Sequence, residues 1–183
     1  HSLEPFIEKN LKKLDSIRES EEKVNFLRDK INDYLLKITR KDIGKAQIDE
    51  VFQVMFASKE MEQIGDLISK NILDRAQWWV SSGFDFSDDG KVELLEYHRL
   101  THKQLKRAIE VLENLDIDIA RKQMKKYDHF KELGLELERS HFERLKKDIG
   151  KSVESSKTHL ELVSVFRTIG SHANNIARIV LEK

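Results

Sequence analysis

Apolar residues recur at steps of three and four along nearly the whole chain, a period that predicts six long helices and no strand. The first covers 3–16, with Phe6, Ile7, Leu11 and Leu14 on one face. Ser20 is placed as the N-cap of the second, whose first turn holds Glu21 and Glu22. Its stripe is Val24, Leu27, Ile31, Tyr34, Leu35 and Ile38, and Gly44 is its stop signal. The third helix covers 46–80. Its early part, from Val51 through Phe52, Val54, Met55 and Phe56 to Ala57, is apolar at several angles, which predicts a central helix contacted on more than one side. Residues 81–86 are the one clear linker. Ser87 with Asp88 and Asp89 opens the fourth helix. Asp116 or Asp118 caps the fifth, which runs to Gly150, and the sixth starts near Ser152.

The two halves echo each other. Ile64-Gly65-Asp66, followed by Asn71-Ile72, returns about 105 residues later as Ile169-Gly170-Ser171, followed by Asn175-Ile176. The expected architecture is therefore all-α: tandem three-helix bundles, one over 3–82 and one over 87–183, forming one compact domain. Both glycines fall mid-helix, where glycine costs about 1 kcal/mol relative to alanine. Their recurrence predicts close helix contact or a site.

Charge narrows the function classes. Lys plus Arg and Asp plus Glu both number 33, so the net charge is zero, which argues against a general nucleic-acid binder and leaves room for a local basic patch. A 36% charged content with a single proline favours long charged helices. The absence of cysteine excludes disulfides and thiolate metal sites and points weakly to the cytosol. The longest run without Asp, Glu, Lys or Arg is 168–177, half the length a spanning helix needs, and it carries Asn, Ser, Thr and His. The chain begins at His1 without a signal-peptide pattern, which reads as an excised domain with His1 and Ser2 as tag remnants.

Four runs point further: Glu62-Gln63-Ile64-Gly65-Asp66, Arg139-Ser140-His141-Phe142-Glu143-Arg144-Leu145, Ser155-Ser156-Lys157-Thr158-His159-Leu160-Glu161-Leu162, and Arg167-Thr168-Ile169-Gly170-Ser171-His172. Their order and spacing resemble the phosphate-uptake regulator (PhoU) family, more closely the PhoU-like domain at the cytoplasmic C-terminus of sodium/phosphate cotransporters, over roughly 21–182. The resemblance implies a non-catalytic regulatory or assembly domain of a sodium-dependent inorganic phosphate transporter. It would act in phosphate uptake or its regulation, docked against the transmembrane portion of its own transporter at the cytoplasmic side of a bacterial plasma membrane, singly or as a homodimer. The alternative is a free-standing PhoU-type regulator that connects phosphate uptake to a sensor kinase. A metal-binding bundle enzyme is a third reading, and no nucleic-acid partner is implied.

Glu62 and Asp66 stand one helical turn apart on a flank of the Ile64/Ile68 stripe. In the PhoU family such pairs resemble ligand sets for multinuclear clusters, and hard oxygen ligands at that spacing can share a divalent or iron cation. Asp66 and Lys70 are also an ordinary i,i+4 pair. The matching pair on the second helix would be Glu21 and residue 25, but Asn25 stands there; Asp29 and Asp33 restore the spacing one and two turns later. The candidate metal set is Glu62, Asp66, Glu21 and Asp29, with no catalytic residue and no required cofactor. In the second half Arg167 and Ser171 occupy the matching positions, which argues against a second metal site. Glu138 and His141 make a lone Glu-x-x-His where a di-iron bundle needs two. His98 and His102 have chelating spacing, but exposed histidines on a charged helix are more often bystanders. Trp78 and Trp79 read as caps that fill the joint between the halves.

Overall fold

The computed structural model describes residues 2–147 and 153–181, and every regular element among them is helical. In chain order these are α1 (Glu4–Glu8), α2 (Leu14–Thr39), α3 (Lys45–Asp66), a π-helical segment (Leu67–Leu73), α4 (Asp74–Ser82), α5 (Asp88–Asn114), α6 (Ile117–Lys147) and α7 (Val153–Leu181). From α3 through the π segment to α4 the chain runs on as one rod, as the apolar period predicts. The expected stop at Gly150 and start near Ser152 lie outside the described residues.

The helix predicted over 3–16 is broken. Lys9 turns left-handed at φ 55°, the Asn10 side chain accepts the Lys12 N–H at 2.9 Å, and α2 starts already at Leu14. The break folds Leu3 and Phe6 beneath Trp79, whose indole N–H donates to the Phe6 carbonyl at 3.1 Å. Ser20 thereby falls inside α2 and is no cap: its hydroxyl donates to the Ser16 carbonyl. Gly44 opens α3 rather than closing α2, and its N–H donates to the Gln47 side chain at 3.0 Å. The other boundaries follow expectation. Gly83 leaves α4 with φ 74°, the Ser87 hydroxyl accepts from Gly90, and one Asp116 carboxylate oxygen accepts from Asp118 and Ile119.

The helix enclosed on most sides is α7, not the 46–80 helix. It packs against α3, α5 and α6, and it buries Leu162, Val163, Phe166, Ile169, Ala173, Ile176 and Val180. By contrast α3 leaves Phe52 60% and Val54 45% exposed, because α2 and α7 together cover only two of its flanks. One core cluster draws on both halves, from Phe6, Ile64 and Trp79 to Tyr97, Phe130 and Phe166.

The repeated glycines both lie at helix crossings, with unequal stakes. A Cβ at Gly65 would stand 3.7 Å from Glu21 and Val24 of α2, an ordinary contact. A Cβ at Gly170 would overlap the Phe130 ring of α6. The π segment explains a mismatch in the repeat. Ile64 to Asn71 is seven positions, whereas Ile169 to Asn175 is six. The first copy thus carries one extra residue, which the helix absorbs as a π turn. A straight α-helix continued from Ile64 would turn positions near 71, 75 and 78 inward. With one residue absorbed, Ile72, Ala76 and Trp79 point in, and these three are fully buried.

Gly170→Ala should therefore lose about 1–3 kcal/mol through overpacking against Phe130. Gly65→Ala should gain up to about 1 kcal/mol from helix propensity. Urea denaturation of the two variants measures both signs.

Candidate functional site

The predicted metal set does not converge as one set of ligands. Glu62 pairs with Arg28 of α2 at 2.8 Å, and the same guanidinium bonds Asp29, also at 2.8 Å. Asp66 pairs with Lys70 at 2.6 Å, and Glu21 accepts a hydrogen bond from Asn25. The ammonium of Lys70 is raised above its ordinary pKa by the hydrogen bond to Asp66, with the charges of Asp66, Glu21 and Glu62 adding to it. Three of the four carboxylates thus act on one lysine, while Asp29 and Glu62 share one arginine. A cluster of the family type would have to displace both cations, so the residues present do not fit one. Among the described residues no three His, Asp or Glu side chains are grouped to hold a metal ion.

What the α2–α3 hairpin does present is apolar surface. Phe26, Leu27, Tyr34, Leu36, Ile48 and Phe52 are each at least half exposed. Of these only Leu27 lines the groove of about 600 Å³ between α2, α3 and the ends of α5 and α7, whose walls include Val24, Leu27, Ile31, Val54, Met61 and Leu112. The groove, a contiguous apolar surface open to solvent, marks an interaction site more often than a solvated face does. The sequence displayed these residues, but their period suited burial equally well.

Two of the sequence runs meet on the other side of the molecule. Arg144 of α6 grips Glu93 of α5 with both terminal nitrogens, at 2.6 and 2.7 Å, and also donates to Ser140 at 3.2 Å. His159 of α7, almost fully buried, places Nε2 3.3 Å from the same carboxylate and stacks on His141 at 4.5 Å between ring centroids. Burial would raise the Glu93 carboxyl, but the adjacent His159 ring and the hydrogen bonds from Arg144 outweigh it and hold the pKa at about 2. Glu93 belongs to neither run, and no motif or spacing in the sequence singles it out. The last run supplies His172, whose Nδ1 lies 2.9 Å from the buried Glu60 of α3; Asn175 donates to the same oxygen at 2.9 Å. Arg167 pairs with Glu138 at 3.2 Å.

The tryptophans divide the role predicted for them. Trp79 is fully buried and stacks on Phe86 of the linker at 4.2 Å, whereas Trp78 stays 37% exposed beside Arg75. His98 is half-buried edge-on to Phe166, and desolvation lowers its pKa to about 4. His102 is exposed, so the two do not form a chelate pocket. No helix among the described residues is long and apolar enough to cross a membrane.

The PhoU domain family profile matches residues 1–76 and 94–180. Among characterised sequences, the protein named "Putative inorganic phosphate export protein YjbB" of Escherichia coli K12 is 26% identical over 180 residues, covering 98% of this chain and 32% of that protein. Its namesake in Salmonella typhimurium is 25% identical over the same length and coverage. This chain therefore spans about a third of the relatives it matches. The crystal structure of PhoU from Pseudomonas aeruginosa superposes with a TM-score of 0.83 at 21% identity, covering 98% of this chain and 85% of that one, which shows a shared fold.

Two acid-sensitive steps follow. The imidazole of His98 stays neutral in the folded chain down to about pH 4, while the unfolded chain binds its proton near 6.5, so stability falls as pH drops through that window. Glu93 contributes stability that is full above about 4.5 and lost as pH falls towards 2, on the order of 3 kcal/mol. Glu93→Gln should remove the lower step and His98→Leu the upper one, as read by urea denaturation at pH 7, 5 and 3. Zinc or ferric iron should show no stoichiometric binding by calorimetry, since Arg28 and Lys70 hold the acidic face; equimolar binding lost in Asp66→Asn would contradict this.

Proposed function

This chain belongs to the PhoU domain family, and from that premise we propose that it is a non-catalytic regulator of inorganic phosphate transport that works by docking on a membrane transporter. The observation that carries the reading is the apolar groove between α2 and α3, with Leu27 exposed on its rim. A helical domain with no cation-ready acid cluster among its described residues, but with half a dozen large side chains in water, has more to offer a protein surface than a substrate. Docking regulates only if the transporter's conformations meet this face unequally, because a partner bound equally in all states shifts none of them.

Within this reading the transporter is an exporter or an uptake system that the domain restrains. The family's name for itself points to uptake, whereas the curated relatives bear an export name over a length three times that of this chain. The match to about a third of those relatives supports a second arrangement, in which the same docking occurs within one longer polypeptide. The apolar hairpin face serves either arrangement with the same chemistry.

In cells that carry the protein, Leu27→Asp should change the flux of radiolabelled phosphate as deletion of the whole domain does, with the melting temperature of the purified variant within about 2 °C of the parent, since the side chain is already 56% exposed. Unchanged flux in the deletion strain would remove the regulatory reading. Flux altered by deletion but not by Leu27→Asp would move the docking surface elsewhere.

A further inference from the structure

The chain is neutral as a whole, but its cations are not evenly spread. Residues 99–107 hold Arg99, Lys103, Lys106 and Arg107 and no acid; residues 121–126 hold Arg121, Lys122, Lys125 and Lys126 and no acid. The first run lies on α5 and the second on α6. A buried amide pair sets them side by side: Gln123 donates to the Gln104 side chain at 2.8 Å, and Gln104 donates to the Lys126 carbonyl at 3.3 Å. With the seam between the helices filled by the amides and by Val111 against Ala120, the charged positions turn outward. Lys103, Lys106, Lys122, Lys125 and Lys126 are all exposed and form no ion pair among the described residues. Only the two outermost arginines are matched, Arg99 by Glu96 and Arg121 by Asp118.

We propose that this outer α5/α6 face is a docking surface for the anionic headgroups of a phospholipid bilayer. The choice of a bilayer over another polyanion comes from what accompanies the cations. Leu95, Arg99, His102, Lys106 and Ile109 follow one another at steps of four, three, four and three, so they share one face of α5. All five are exposed, Leu95 by 48% and Ile109 by 43%. Apolar side chains bracketing cations on one helical face suit the headgroup–acyl boundary, where the aliphatic groups enter and the ammonium groups stay at phosphate level. A polynucleotide would gain nothing from Leu95 or Ile109, and the aromatic rings nearest the face, Tyr127 and Phe130, are turned inward and offer no base a stacking platform. Two helices side by side also present a broad convex surface rather than an element that enters a groove. The proposal stands apart from the docking reading of the α2–α3 hairpin, because different helices and different residues carry it.

The test is co-sedimentation of the purified chain with large vesicles of phosphatidylcholine alone and of phosphatidylcholine with 30% phosphatidylglycerol, roughly the anionic excess that a charge-driven contact needs to be visible. Binding is expected to the anionic vesicles only, and it should weaken as salt shortens the screening length from about 10 Å at 0.1 M. Each cation at such a surface strengthens binding about fivefold, so Lys106→Gln with Lys122→Gln should lose about 25-fold. Leu95→Ser with Ile109→Ser should weaken vesicle binding while leaving any binding to a DNA duplex untouched. Lys12→Gln with Lys37→Gln, on exposed lysines of the first half, should have no comparable effect, and circular dichroism confirms that each variant is folded. Leu27→Asp should bind vesicles normally, which separates this surface from the transporter contact. No binding to anionic vesicles at low salt, equal loss in the Lys12/Lys37 pair, or tighter binding to a DNA duplex than to vesicles would each overturn the proposal.

Discussion

Helix α7 can be enclosed by three neighbours only because its backbone is bare where α6 crosses it. At Gly170 the Phe130 ring lies directly on the helix, in space that any side chain would fill. Phe130 in turn stacks on Tyr97 of α5 at 4.6 Å and 8° between planes, and the Tyr97 hydroxyl donates to the Phe130 carbonyl. Gly134, one turn further along α6, leaves room for that hydroxyl. The three helices of the second half are thereby fixed at one height. With that height set, Arg144 and His159 reach the same carboxylate from opposite sides, and His172 meets Glu60 across the joint to the first half. Such buried polar contacts add little net stability against an apolar core, but losing one partner is costly, so they hold a single register.

The two halves keep the geometry of their duplication and reverse its charge. Where α3 crosses α2, Glu62 faces Arg28; where α7 crosses α6, Arg167 stands in the position of Glu62 and faces Glu138. An interhelical salt bridge survives in both copies while the acid changes helix. Among the described residues no lattice of carboxylates is shared between the copies, and in the first copy Arg28 pairs with Glu62 and Lys70 with Asp66.

Helix positions were readable from the chain because burial of one stripe imposes a period, and that period is strong wherever one face is solvated. Caps were readable where a side chain does the capping, as at Ser87 and Asp116. The reading failed where the stabilising contact lies far away in sequence. The break at Lys9 is favoured by the indole of Trp79, more than 60 positions on. Ser20 looked like a cap because its competing bond to the Ser16 carbonyl leaves no trace in composition. At the site, the runs around His141 and His159 pointed to residues that do meet, but Glu93 and Glu60 could not be inferred, since a buried carboxylate is recognisable only from its partners. Phe52 and Val54 misled for the opposite reason. An apolar side chain looks the same in sequence whether its own fold or another molecule covers it.

The π segment bears on how such a duplicated chain tolerates change in length. An inserted residue in a packed α-helix swings everything downstream by about 100° and would ordinarily have to be expelled into a loop. Between Leu67 and Leu73 the extra residue is instead taken up by one widened turn, and the core beyond it stays in phase with Trp79 inward. The rod through the first half can therefore gain or shed a single residue at this point without remodelling either end. Two halves that no longer match in length can still share one hydrophobic interior.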